Sequence, residues 1–180
     1  MELEQLKEII RNRCVLVNTE QEFVLASGKR TPIYINLKAL TMDPEGLHLI
    51  GEVVFQRVLP LNPDGIGGLT MGADPIAYAV AMKSYEHKCP MLPFIIRKEP
   101  KLHGTGKWIE GNLSPNARVV IVEDVVTTGN SALRAAHIAQ ENGLQVIKIL
   151  SIVDREEGAQ ASFLAHSFSY DFLFRLSDLM

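Results

Sequence analysis

Residues 119 to 131, VVIVEDVVTTGNS, set two acids between a β-branched run and a turn rich in hydroxyls. A turn that opens a helix presents unpaired backbone N–H groups, and the helix dipole favours an anion there. Thr127, Thr128 and Ser131 add hydroxyl donors, and Gly129 lets the backbone approach a ligand closely. That set of donors is a cradle for a phosphate. Glu123 and Asp124 would repel the same phosphate, so they serve another part of the ligand. A ribose cis-diol brings two donors that need acceptors, and phosphate beside diol means a ribose 5-phosphate. The plainer alternative is helix capping by Thr, Asn or Ser, which leaves the paired acids unexplained. Successive strand residues point to opposite faces. The acids are therefore expected where the strand is already turning, with Asp124 in direct contact. Glu123 either joins it or orders the loop.

These residues need a frame. Val119, Val120, Ile121 and Val122 form an unbroken apolar run, which suits a parallel strand covered on both faces. Beyond the turn, Leu133, Ala136 and Ile138 or Ala139 lie on a helical face that ends at Asn142-Gly143. In open α/β sheets the strand-to-helix junction is where ligands bind. Upstream, residues 3 to 14 read as an amphipathic helix with Leu3, Leu6, Ile9 and Ile10 on one side. A turn at 27–32 separates Phe23–Leu25 from the strand-like Ile33–Leu37. Asp43-Pro44-Glu45 opens a helix that buries Leu47, Ile50, Val54 and Val58. A short strand spans Asp64–Gly68, and a glycine-marked loop leads to a helix after Asp74-Pro75, with Asp74 as its N-cap. Strands follow at Leu92–Ile96 and Val146–Val153, and residues 98 to 117 read as one long loop, the length of a functional lid. The βαβαβ series predicts an α/β fold with a central, mostly parallel sheet flanked by helices.

Bulk properties narrow the function classes. The 180 residues, 47% of them hydrophobic, suffice for a single domain covering 1–180. A net charge of −3 argues against nucleic acid as a partner. Cys14 and Cys89 form no metal-ligand pattern and fit a reducing cytoplasm. Neither a signal peptide nor an apolar stretch of membrane-spanning length occurs. Thr70 stands where a dinucleotide fingerprint starting at Gly65 would need its third glycine, and neither a P-loop nor a hydrolase elbow motif is present.

VVIVEDVVTTGNS resembles the phosphoribosyl-pyrophosphate (PRPP) binding motif of type I phosphoribosyltransferases. FVLASGKRTPIYIN at 23 to 36, GGLTMGADPIA at 67 to 77 and RKEPKLHGTGKWIEG at 97 to 111 resemble three segments of the orotate phosphoribosyltransferases. These are the hood, the pyrophosphate loop and the mobile catalytic loop. The resemblance implies a type I phosphoribosyltransferase fold, with a hood over approximately 1–40 and a catalytic loop over approximately 98–109. It implies transfer of ribose 5-phosphate from PRPP to orotate, giving orotidine 5′-monophosphate and pyrophosphate in pyrimidine synthesis. The alternatives are a phosphoribosyltransferase for another base, or a non-catalytic regulator that senses PRPP. A fused decarboxylase is not expected within these 180 residues.

Residue by residue, the resemblance makes Asp124, Glu123, Lys101 and His103 catalytic. It assigns PRPP to Arg97, Lys98, Lys101 and His103, to Met71 and Gly72, and to Glu123, Asp124, Val125, Val126, Thr127, Thr128, Gly129, Asn130 and Ser131. Orotate falls to Thr127, Arg155, Tyr34 and Ile35. An oxocarbenium-like transition state needs acids near the sugar and cations near the leaving pyrophosphate. The cationic loop supplies the latter, reaching in the family across a homodimer into the neighbouring site. Lys107 lies outside the matched positions and reads as solvated. Arg155 suits a planar carboxylate; from its neighbours alone it would read as a surface ion pair with Asp154, Glu156 or Glu157. Mg²⁺ is the implied cofactor, held through substrate phosphates and water rather than by a dedicated cluster. Asp74 could touch a metal-bound water, although the cap reading is preferred. Ala26 and Gly72 stand where some family members carry lysine, and Lys29 or Arg30 could compensate.

Overall fold

In the computed structural model, which describes residues 1–24, 28, 30–100 and 107–180, the Val119–Val122 run lies at the middle of a six-stranded sheet, at most 1% exposed. The chain begins with α1 (Glu2–Arg13), in which Leu6 and Ile10 are buried and Leu3 is exposed. Cys14 follows as its C-cap and is fully buried. Next come β1 (Val15–Val17), β2 (Phe23–Val24), β3 (Arg30–Thr31) and β4 (Ile33–Ile35). They form two small antiparallel pairs, β1 with β4 and β2 with β3. The short α2 (Lys38–Thr41) precedes α3 (Pro44–Val58). The start of α3 follows the sequence pattern: Asp43 Oδ2 accepts from the Gly46 N–H at 2.9 Å, with Pro44 in the first turn. Its buried face carries Leu49, Ile50, Val54 and Val58, while Leu47 is only half-buried.

The central sheet is built from β5 (Gly65–Leu69), β6 (Leu92–Ile96), β7 (Ile109–Glu110), β8 (Arg118–Val126), β9 (Gln145–Asp154) and β10 (Tyr170–Arg175). Their spatial order is β10-β9-β8-β5-β6-β7. All neighbours are parallel except β6 and β7. Helices α4 (Ala73–Glu86), α5 (Asn130–Glu141), α6 (Ala159–Ala165) and α7 (Leu176–Leu179) complete the chain. Alternation along β8 splits the core in two. Val120 and Val122 pack with α1, α3 and α4, whereas Val119 and Ile121 pack with α5 and α6. Among the described residues no helix is long and apolar enough to cross a membrane.

Three expectations change. Residues 98–117 are not one uninterrupted loop, because Ile109 and Glu110 pair with Ile96 and Ile95. The strand carrying the acids continues to Val126, so Glu123 and Asp124 lie within it rather than at its turn. Helix α4 begins at Ala73 with Gly72 as N-cap, so Asp74 sits in its first turn and is not the cap.

Candidate active site

The parallel register of β5 beside β8 sets the loop after β5 against the carboxyl end of β8. A Cβ built on Gly72 would stand 2.7 Å from Glu123 Oε1 and 2.9 Å from Asp124 Oδ1. Strand alternation would send the two side chains apart, yet both carboxylates end in the space a side chain at position 72 would fill. Their environments differ. Glu123 is 8% exposed, while Asp124 is half-buried and its Oδ1 accepts from the Val125 N–H at 2.8 Å. Burial, reinforced by the neighbouring Asp124 charge, pushes the Glu123 carboxyl up to about 8. Lys38 opposes that shift in part. Burial thus favours the neutral, hydrogen-bonding form of Glu123 over the second negative charge that its place in the sequence suggests.

The turn after β8 leaves a helix start open. Gly129 is the N-cap of α5, at φ +87°, and no side chain caps the helix. A side chain at 129 would also press on the Phe163 ring, 2.8 Å from the Cβ position. Capping by Thr127, Thr128, Asn130 or Ser131 is therefore ruled out, and the first amides of α5 remain for an anion. Thr127 and Thr128 are half-buried; Asn130 and Ser131 are exposed in the first turn. Val126 is buried at 2% exposure, so only its backbone can serve a ligand. Val125 packs partly against the core.

Arg155 lies at the end of β9, where its N–H donates to the Val126 carbonyl at 2.9 Å. It is 5% exposed and bonds Glu157, the Ile33 carbonyl and, at 3.5 Å, Thr31 Oγ1. It is therefore no surface ion pair, although one of the acids named from the sequence does hold it. Through it the end of β9 is tied to the β3–β4 segment. There Tyr34 is partly exposed and stacks on Phe23, ring centroids 5.4 Å apart. The Ile35 side chain, by contrast, packs in the core.

The cationic segment is described at its stem. The Arg97 N–H donates to the Trp108 carbonyl at 2.9 Å, and Arg97 Nη1 lies 3.4 Å from Glu110 Oε1. Arg134 of α5 donates to the Lys98 carbonyl and lies over the Trp108 ring. Lys101 and His103, like Ala26 and Lys29, lie outside the described residues. Met71 is exposed. Thr70 Oγ1 donates to Asp74 Oδ2 at 2.7 Å, while Asp74 Oδ1 and Arg97 Nε are buried with no partner among the described residues. Both residues line one cleft of about 470 Å³, together with Thr70, Lys98, Glu99 and Glu110. An orphan acceptor and an orphan donor in one cleft call for a ligand that carries both complements. For Asp74 the sequence offers a contact to a metal-bound water beside the preferred cap, and for Glu157 only one of three possible ion pairs with Arg155.

Three comparisons bear on the site. The sequence profile described as a phosphoribosyl transferase domain matches residues 37–165. An orotate phosphoribosyltransferase of Aquifex aeolicus is 47% identical over 180 residues, covering 100% of this chain and 98% of the relative. The crystal structure of Mycobacterium tuberculosis H37Rv orotate phosphoribosyltransferase in complex with PRPP superposes with a TM-score of 0.81 at 32% identity, covering 99% of each chain.

Proposed function

The chain belongs to the phosphoribosyl transferase domain family, and on that premise we propose that it transfers ribose 5-phosphate from PRPP to orotate, releasing pyrophosphate. The observation that carries the reading is the backbone bond from Arg155 to Val126, which ties the main chain of Arg155 to the end of β8 just before the phosphate turn, while its buried guanidinium reaches toward Ile33 and Thr31. Orotate joins a planar ring to a carboxylate, and an arginine can meet that carboxylate with two parallel hydrogen bonds. Tyr34 offers an aromatic face for the ring. A purine base has no carboxylate for Arg155.

The uncapped start of α5 receives the 5-phosphate, with hydroxyls from Thr127, Thr128 and Ser131. Asp124 faces the ribose, where its carboxylate stabilises positive charge as the glycosidic bond to pyrophosphate breaks. Glu123 adds a hydrogen bond to the sugar hydroxyls or to Asp124. Arg97 and Lys98, with Lys101 and His103 beyond the described stem, balance the charge growing on the leaving pyrophosphate.

Mg²⁺ fits the residues present. Its expected ligands are substrate phosphate oxygens and water. Asp74 Oδ1, buried without a partner among the described residues, would accept from its water shell. Bound there, Mg²⁺ would neutralise charge on the pyrophosphate.

The active unit is a homodimer in the cytoplasm, with the 98–109 loop serving the neighbouring site. Tyr78, Met82 and Tyr85 are exposed on α4 and line one surface with Pro93 of β6, the strand that runs into Arg97. An apolar face of this kind suits a second copy of the chain. The activity test is loss of orotate absorbance with PRPP and Mg²⁺. Turnover of orotate but not of adenine, guanine or hypoxanthine supports the assignment. Turnover of a purine alone would replace it with another base specificity, and PRPP binding without turnover of any base would favour a sensor.

A further inference from the structure

The five N–H donors of a guanidinium allow the bonds of Arg155 to be counted. Nε donates to Glu157 Oε1 at 3.0 Å, and Nη1 donates to the Ile33 carbonyl at 3.1 Å. Nη2 reaches Thr31 Oγ1 at 3.5 Å. Among the described residues, one N–H on each Nη is left, and a carboxylate in a bidentate pair takes two. The Arg155 side chain is 3% exposed and that of Glu157 is 16% exposed. A guanidinium so buried is costly without a counter-charge, and Glu157 provides it. The neighbouring acid is committed elsewhere: Glu156 Oε2 accepts from the Ser177 N–H at 2.9 Å. The turn thus divides two adjacent acids between two tasks.

We propose that Glu157 is a positioning residue for the base site, holding the plane of Arg155 through Nε and offsetting its charge, so that it sets the affinity for the orotate carboxylate. The inference rests on the reading of Arg155 as orotate's partner. Both effects of Glu157 act through Arg155, but in opposite directions. Holding the plane presents the remaining donors together and strengthens orotate binding. Offsetting the charge weakens it.

Substitutions separate the two. Glu157→Gln keeps the reach and an acceptor oxygen but removes the charge, so KM for orotate should fall roughly threefold or more. Glu157→Asp keeps the charge but shortens the reach, so KM for orotate should rise. KM for PRPP and kcat should stay within about twofold of the unsubstituted protein in both cases. In an Arg155→Ala background, Glu157→Gln should no longer affect orotate, because its route is gone. Thermal melting of each variant checks that it is folded, and Glu157→Asp still decides the matter if Glu157→Gln does not fold. Unchanged orotate KM in the Glu157 variants, or the same change with Arg155 absent, overturns the inference. If Arg155→Ala itself leaves orotate KM unchanged, the assignment of Arg155 fails instead. A rise of roughly ten- to a hundredfold is expected for that control.

Discussion

Gly72 and Glu123 are in contact across two elements: Glu123 Oε1 lies 2.7 Å from where Gly72 would bear a Cβ. The absence of a side chain at 72 leaves room for the acid pair, including Asp124 Oδ1 at 2.9 Å from the same point. The space that a side chain at 72 would take is thus occupied by two carboxylates. The atoms in the way are ends of side chains rather than backbone, so they can shift. Gly72→Ala should therefore leave the fold in place, costing no more than about 1–3 kcal/mol, while moving both carboxylates. A larger loss in kcat/KM for PRPP than in thermal stability is the expected result. Normal kinetics would show that the carboxylate positions do not matter.

Asp124→Asn removes charge facing the sugar without changing volume. By analogy with the loss of one transition-state-stabilising group, kcat should fall by about 10²–10³, with the melting temperature nearly unchanged. Steady-state assays beside a thermal melt separate loss of chemistry from loss of structure.

Glu123 gives a pH signature in stability. Its carboxyl is raised from 4.5 to about 8 in the folded protein, first by burial and then by the Asp124 charge. Between those values the folded protein keeps a proton that the unfolded chain has lost. Stability therefore falls as pH rises through that window, and the contribution is fully favourable only below the lower value. Glu123→Gln should flatten this part of the curve. Denaturant melts of both proteins across the window test the sign. An unaltered slope in Glu123→Gln would assign the effect to other groups.

The cationic loop is expected to act in trans. Mixing Lys101→Ala with Asp124→Asn under conditions that exchange subunits should recover roughly a quarter of wild-type activity, because hybrid dimers then hold one intact site. No recovery, with exchange confirmed by native mass spectrometry, would mean that Lys101 serves its own chain.

The parts of this fold visible in the sequence are those decided locally. Val119–Val122 reads as a covered strand because a β-branched run has few other homes, and Asp43-Pro44 reads as a helix start because cap and proline act within one turn. The strand Tyr170–Arg175 was missed; it is defined by its partner, since Phe172 pairs with Ser151 and Phe174 with Val153. Likewise β7 exists only through two pairings to β6. In the site, the phosphate turn was legible because its donors are consecutive. Asp74 was misread because a cap and a first-turn acid share one sequence pattern, and the Thr70 hydroxyl that engages its carboxylate acts through space. Glu123 looked like a charge because sequence carries no burial. The tie from Arg155 to Ile33 spans 122 positions, beyond any local pattern.

The cysteine that caps α1 turns the amino-terminal segment into something that can be clocked. Cys14 is fully buried and its thiol is pushed up to about 11 by that burial, whereas Cys89 is exposed. A thiol reagent should thus modify Cys89 at once and Cys14 only during excursions in which α1 lifts away. The Cys14 carbonyl accepts the Asn36 N–H at 2.8 Å, and the adjoining β1 pairs Leu16 with Tyr34. Any excursion that frees Cys14 loosens the strand that carries Tyr34. In a Cys89→Ser protein, the labelling rate of the remaining thiol then measures how often this segment opens. Slowing of that rate by orotate would reveal how much of the ligand's binding free energy is drawn on to keep it closed.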